Sequence, residues 1–189
     1  MTLFIIILAG AYLAGSVNFA ILLFAFLGKD DPRSRFSGNA GTVNVGRQAG
    51  AGWAALVLLL DLARAAAVAW AALSFLPGGQ APWAGLALVL GNSYPCFHSF
   101  RGGKGVAAYL GFTIPIAPLA ALLSALVWAG VYGLTRLPFA ASFGMVAVLA
   151  AGTVTASAWD PAASAATVLT ALWIYGRHQR NVKNFFMPK

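Results

Sequence analysis

From Leu3 to Leu27 the chain carries no charged side chain. An uncharged run that long leaves the backbone few options. In lipid every N–H and C=O must find a partner inside the protein, so the run becomes a helix. About 20 apolar residues suffice to cross a bilayer. The pattern recurs. Apolar stretches cover about Gly52–Leu76, Trp83–Tyr94, Val106–Ile114, Ile116–Leu134, Pro138–Ser157 and Ala162–Tyr175. None alternates with period two, which argues against a β-barrel. Charged residues make up 8% of the chain and hydrophobic ones 60%. A soluble domain carries roughly a quarter charged residues, so this chain cannot cover a water-facing surface. The expected fold is all-α and polytopic, with residues 1–189 forming one membrane-embedded domain. The N-terminal run lacks a basic flank and exceeds a signal-peptide core, so it is expected to stay as a span. With Cys96 as the single cysteine, no intramolecular disulfide is expected.

The net charge of +8 is distributed unevenly. Lys29, Arg33, Arg35 and Arg47 lie in the polar segment after the first span. Arg101 and Lys104 lie in a glycine-rich segment after the third. Arg136 follows the fifth, and Arg177, Arg180, Lys183 and Lys189 lie in the tail. The turns at Pro77–Pro82, near Pro115 and at Trp159–Pro161 contain no Lys or Arg. Seven crossings place every basic segment on one side, giving an external N-terminus and a cytoplasmic C-terminus. Topology thus accounts for the cations at least in part and leaves room for a second role in holding an anionic substrate, and no nucleic-acid partner is expected. Val106–Ile114 is short for an upright crossing, so Gly102–Gly105 is expected to re-enter the membrane, where surrounding protein must satisfy it. Asp61 and Arg64, inside the second span, are spaced to pair on one helix face.

Three segments could carry chemistry. Arg101-Gly102-Gly103-Lys104-Gly105 lets the backbone approach an anion closely. Its successive amides can form an anion-binding nest, backed by the N-terminus of the helix that follows. Lys104 adds a point charge and Arg101 a guanidinium fork. The alternative is a glycine turn with cationic membrane anchors. Ser37-Gly38-Asn39-Ala40-Gly41-Thr42-Val43-Asn44, followed by Arg47, offers hydroxyls, carboxamides and a guanidinium for phosphate and polyol groups. It also reads as an ordinary polar loop. In Arg177-His178-Gln179-Arg180-Asn181 the flanking arginines favour a neutral histidine. A basic tail on anionic lipid explains the same residues. Glutamate is absent, and neither histidine begins a His-x-x-x-x-Asp sequence, because Gly103 and Lys183 occupy the fifth positions after them. No metal site and no cofactor are implied. With few groups able to act as a strong base, any reaction needs an activated substrate.

Together these segments resemble the bacterial membrane glycerol-3-phosphate acyltransferases that use acyl phosphate, the PlsY family. The resemblance spans nearly the whole chain. It rests on Gly15-Ser16, DPRSRFSGNAGTVNVGR, GNSYPCFHSFRGGKGVAAYLG, Ser142-Phe143-Gly144 and RHQRNVKNFF, in that order. It implies a seven-helix membrane fold in the bacterial inner membrane, with the active site on the cytoplasmic side. It further implies transfer of a fatty acyl group from acyl phosphate to the 1-hydroxyl of glycerol 3-phosphate. The products would be lysophosphatidic acid and phosphate. By position, Arg47, Lys104 and His178 resemble the family's phosphate-handling residues, and Ser37, Ser142 and Asn181 its polar substrate contacts. Gly38, Asn39, Gly41, Asn44, Gly102, Gly103 and Gly105 match positions that shape its loops.

The chain departs from the family pattern at three positions. Asn18 stands where proline is usual, Val43 where threonine is usual and Asn92 where histidine is usual. These changes raise the alternative of a divergent paralogue acting on another phosphorylated acceptor. A non-enzymatic anion transporter is the alternative outside enzymes. Acyl-chain preference and oligomeric state are not readable from the residues.

Overall fold

The computed structural model describes residues 1–187, so Lys189 of the tail lies outside the described residues. The described residues form an all-α structure. In chain order the helices are α1 (Thr2–Ser16), α2 (Phe19–Phe26), α3 (Thr42–Ala49), α4 (Ala51–Phe75) and α5 (Ala81–Ser93). They continue with α6 (Val106–Thr113), α7 (Pro118–Thr135), α8 (Pro138–Ala156), α9 (Pro161–Gly176) and α10 (Gln179–Phe186). Proline sits in the first turn of α5, α7, α8 and α9, where its missing N–H costs no helical bond. Asp160 caps α9 by accepting from the Ala163 N–H at 2.8 Å.

The segment Thr2–Phe26, together with α4, α7 and α8, is long and apolar enough to cross a membrane. At 1.5 Å per residue, α5 reaches about 20 Å and α6 about 12 Å, short of a ~30 Å hydrocarbon core. The outer surface carries exposed Ile5, Ile6, Leu59, Leu122, Leu126 and Leu172, as a lipid-facing bundle requires. The inside is built round Leu88, Phe112, Leu149 and Ile174, from α5, α6, α8 and α9. A second cluster joins α2, α3 and α4 through Phe24, Val45 and Val57.

Three expectations need correction. The first span is not one helix: it breaks at Val17-Asn18 between α1 and α2. The Asn18 side chain caps α2 by accepting from the Ile21 N–H at 3.1 Å, a local bond that competes with helix continuation. The Val17 carbonyl freed by the break accepts from Arg64 Nη1, so the ion pair of Arg64 with Asp61 (2.9 Å) also satisfies backbone. The polar segment after the first span contains α3, and the tail contains α10. Both helices are short and polar, with no apolar run to reveal them.

The two runs of small polar residues, Gly15-Ser16 and Gly91-Asn92-Ser93, meet each other where α1 crosses α5. A Cβ on Gly15 would collide with the Leu88 carbonyl oxygen, and a Cβ on Gly91 with that of Tyr12. Around this crossing Tyr12 Oη donates to Tyr94 O at 2.8 Å, and Ser16 Oγ accepts from the Cys96 N–H at 3.3 Å. Backbone contact of this kind admits only glycine. Gly91→Ala is therefore expected to destabilise the protein by about 1–3 kcal/mol or more, the usual cost of overpacking. Gly10→Ala, where nothing lies within 4 Å of the added carbon, should leave stability unchanged. Thermal unfolding of both variants in detergent checks the contrast.

Candidate active site

The site begins at the end of α5. The carbonyls of Asn92 and Ser93 have no further helix to accept from. They accept instead from the N–H groups of Gly103 (2.8 Å) and Gly102 (3.2 Å). The chain between them makes a tight excursion, with Ser99 (φ 56°) and Phe100 (φ 55°) in the left-handed region. A Cβ on Gly102 would strike the Asn92 carbonyl oxygen, and one on Gly103 would lie 2.8 Å from Asn92 Nδ2. Gly105, at φ 88°, then turns the chain into α6. The expected nest of successive amides is thus partly consumed by α5. The amides that remain to meet a ligand are those of Lys104, Gly105 and the first turn of α6, where the helix dipole favours an anion.

The segment before α3 folds against this loop. Asn44 is buried, and its Nδ2 donates to Pro32 O (2.7 Å) and Asn39 O (2.9 Å). Asn18 Nδ2 donates to Ala40 O at 3.2 Å. The Ala40 carbonyl lies 3.2 Å from where a Gly103 Cβ would sit, so the two motif loops are in direct contact.

Between the loops and helices α4, α6, α7 and α8 lies a cavity of about 320 Å³. Ser37, Asn39, Gly41, Asn44, Arg47, Gly103, Lys104, Gly105, Ser142, His178 and Asn181 all line it. Its lining is also apolar in large part, with Leu58, Val106, Leu110, Trp128, Phe139 and Met145. Three expected residues lie outside the lining. Gly38 packs against the Arg180 guanidinium, and Gly102 is buried under α5. The Arg101 side chain is exposed, and only its carbonyl is engaged, by Arg33.

The polar end of the cavity is strongly cationic. Lys104 Nζ contacts Asn181 Oδ1. Burial, then the charges of Arg177 and Arg47, lower its pKa from 10.5 to about 8. Arg177 lies over the Tyr94 ring, 5.0 Å from its centroid, and donates weakly to Gly103 O at 3.5 Å. His178 is buried, and its Nδ1 lies 2.9 Å from the Ile174 carbonyl. A carbonyl can only accept, so Nδ1 carries the proton and Nε2 keeps a lone pair. Burial, and next the nearby Lys104, push the His178 pKa down to about 4. The imidazole is therefore neutral at physiological pH, chiefly through burial and Lys104, with Arg177 contributing least. Ser142 Oγ donates to Pro138 O at 2.8 Å.

Asn92 and Val43, noted in the sequence only as departures from the family pattern, line the cavity, and so does Asp61, whose place there sequence reasoning missed. The spacing to Arg64 marked Asp61 as an ion pair but gave no sign of a cavity beside it. Arg177 was part of a flagged segment, yet nothing in a basic tail separates one arginine from the next.

The arrangement can hold phosphate in a cationic, amide-lined end and an alkyl chain against the apolar wall. Comparisons with known proteins agree with that chemistry. The family model described as glycerol-3-phosphate acyltransferase matches residues 5–187. A glycerol-3-phosphate acyltransferase of Pseudomonas fluorescens strain Pf-5 is 41% identical over 179 residues, covering 93% of this chain and 92% of that protein. Another, of Laribacter hongkongensis, is 38% identical over 182 residues, covering 92% and 88%. Two crystal structures of PlsY, an integral membrane glycerol 3-phosphate acyltransferase, superpose closely. The glycerol 3-phosphate form gives a TM-score of 0.89 at 31% identity, covering 97% of this chain and 92% of that one. The lysophosphatidic acid form gives 0.87 at 30%, covering 97% and 91%. Sequence, fold and site thus converge, and the chain belongs to the glycerol-3-phosphate acyltransferase family of integral membrane proteins, the PlsY family.

Proposed function

We propose that this protein transfers a fatty acyl group from acyl phosphate to the 1-hydroxyl of glycerol 3-phosphate, releasing lysophosphatidic acid and phosphate. The observation that carries this reading is one cavity lined both by cations, Arg47 and Lys104, and by apolar side chains such as Leu58, Leu110, Trp128 and Met145. Both substrates bring phosphate, and the donor also brings an alkyl chain. Acyl phosphate is a mixed anhydride, so its phosphate leaves readily. Attack by the hydroxyl on the acyl carbon forms the new ester bond and breaks the bond to the phosphate oxygen. Lys104 and the amides at the start of α6 are suited to the growing charge on the leaving phosphate, and Arg47 to a second phosphate. Ser37, Ser142 and Asn181 supply polar contacts.

The hydroxyl must also lose its proton. Neutral His178 can accept a hydrogen bond through Nε2 and so orient an O–H. With a pKa of about 4 it is a poor proton acceptor near pH 7. A phosphate monoester, whose second pKa is about 6, is the better base, so a substrate phosphate takes the proton.

The protein crosses the bacterial inner membrane seven times in this reading, with the N-terminus external and the cavity opening to the cytoplasm. α1 and α2 act as one broken crossing, and α4 to α9 supply the others. In a Cys96→Ser background, Gly78→Cys and Gln179→Cys should react with an impermeant maleimide from opposite faces. Gly78 suits the external turn because nothing lies within 4 Å of an added carbon there. Reaction of both from one side would defeat the topology.

Lys104→Ala and Arg47→Ala should each lower turnover while leaving the protein folded. A cation on phosphate in a partly dry site contributes about 2–4 kcal/mol to the transition state. That is roughly 30- to 1,000-fold in rate. Phosphate release from acyl phosphate in the presence of glycerol 3-phosphate measures it, and near-normal rates would refute the assignment.

Lys104 works as the ammonium, and its pKa lies at about 8. The active form is complete below that pH and is lost above it. The value of kcat/KM should therefore fall about tenfold per unit well above pH 8. Lys104→Arg, which cannot deprotonate in this range, should lose the alkaline limb whatever its absolute rate.

A further inference from the structure

Arg33 lies outside the cavity and was read from the sequence only as a topology signal. Its side chain is 17% exposed, well sheltered for a loop arginine. Nε donates to both carboxylate oxygens of Asp31, at 2.8 and 2.9 Å, which fixes the plane of the guanidinium. Nη1 then donates to two backbone carbonyls of the neighbouring loop, His98 O at 2.9 Å and Arg101 O. These carbonyls bracket Ser99 and Phe100, the two non-glycine residues of this loop that lie in the left-handed region. That conformation is sparsely populated and needs outside support. Two residues after Arg101 the chain reaches Gly103 and then Lys104.

The other side of Arg33 is tied as firmly. The carbonyl of Pro32, its neighbour in sequence, accepts from Asn44 Nδ2 at 2.7 Å and from Gln48 Nε2 at 2.9 Å. Asn44 and Gln48 belong to α3, and Arg47 lies between them. One continuous set of hydrogen bonds therefore runs from the helix that bears Arg47, through Pro32-Arg33, to the loop that bears Lys104. These cations repel, and no carboxylate among those described bonds to either.

We infer that Arg33 is a positioning residue: by clamping the carbonyls of His98 and Arg101 it sets Lys104 at its working distance from Arg47. It touches no substrate. Only a planar fork can hold a carboxylate with one edge and two carbonyls with another, so lysine cannot replace it. The inference rests on the reading of Lys104 and Arg47 as the phosphate-holding pair.

Lys104 itself reports on its own placement. Its amine is depressed by burial and by Arg177 and Arg47. The groups facing it are Arg47 from α3, Arg177 and His178 after α9, and Asn181 on α10. Asp61 of α4 lines the same cavity but is paired with Arg64. If the loop drifts outward, burial falls and Arg47 recedes, so the amine titrates at higher pH.

The test is made on the full chain in detergent, with wild type, Arg33→Lys and Asp31→Asn. Competitive acetylation of Lys104 across pH, read by mass spectrometry, should give a midpoint near 8 for wild type. The midpoint should rise by about a unit or more, towards the ordinary 10.5, in Arg33→Lys. In parallel, kcat with acyl phosphate and glycerol 3-phosphate should fall about 10- to 100-fold, as misplaced catalytic groups do. Asp31→Asn, which loosens the guanidinium without removing it, should move both readouts in the same direction by less. An unchanged Lys104 midpoint in a folded Arg33→Lys protein overturns the inference. If that variant does not fold, an unchanged midpoint in Asp31→Asn does so. Failure of wild type to turn over acyl phosphate would defeat the functional reading but leave the acetylation result able to decide the placement.

Discussion

The site depends on how α5 ends. A helix that stops leaves carbonyls without intrahelical partners, and buried ones must find partners elsewhere in the protein. Here the carbonyls of Asn92 and Ser93 are satisfied by the amides of Gly103 and Gly102, brought back from ten residues further along the chain. That closure has two consequences. It forces glycine at 102, where a side chain would strike the Asn92 carbonyl, and leaves little room at 103, where an added carbon would press on the Asn92 carboxamide and the Ala40 carbonyl. It also delivers the next residue, Lys104, and the N-terminus of α6 to the mouth of the cavity. The motif thus first satisfies the end of α5, and the amides left over are the ones available to the proposed anion site.

The electrostatics are unbalanced by construction. Lys104, Arg47 and Arg177 converge around one cavity, and the carboxylate that lines it, Asp61, is committed to Arg64. A protein that buries like charges without partners raises its own free energy. The partly deprotonated tendency of Lys104 is the visible sign of that cost. Two phosphates entering the cavity would remove it and restore the ammonium. Binding and charge development then act in the same direction, which suits a reaction whose leaving group is itself an anion. The apolar wall from Leu58 to Met145 gives the cavity an additional capability that an inorganic-anion pathway would not need.

Much of this was legible in the sequence. The apolar runs gave α4, α7 and α8 to within a few residues, because length and lipid leave one backbone solution. Eleven of the fourteen expected site residues line the cavity, since glycines and short polar side chains clustered only where loops had to fold tightly. What was hidden depended on partners distant in the chain. The break at Asn18 needed knowledge that a carboxamide would cap α2 and that Arg64 would take the freed carbonyl. Arg101 and Arg33 look alike as loop cations. Only the fold shows that the first faces solvent and the second holds the first one's carbonyl. Helices α3 and α10 were missed because each is only eight residues long and polar on average, with its few apolar anchors, Val45 and Phe185, finding partners distant in the chain.

The three departures from the family pattern acquire separate meanings in this frame. Asn18 does what proline cannot: it caps α2 with its oxygen and holds the Ala40 carbonyl with its nitrogen. Through Ala40, which abuts Gly103, the change is absorbed into loop placement, not into substrate contact. Asn92 is mixed. Its carbonyl takes the Gly103 amide whatever the side chain is, while its carboxamide packs on Gly103 and reaches the cavity wall. A histidine there would titrate; asparagine leaves a fixed dipole. Neutral His178 already supplies an imidazole acceptor, so the loss at 92 removes a proton-handling group without emptying the site of one. Val43 lines the cavity with no polar atom, and any hydroxyl contact made there by threonine is gone. The three departures therefore leave Lys104, Arg47 and His178 in place around the cavity proposed to hold phosphate. In the proposed reading, the residues assigned to phosphate are Lys104 and Arg47, and the departures at Val43 and Asn92 fall on other parts of the same cavity lining.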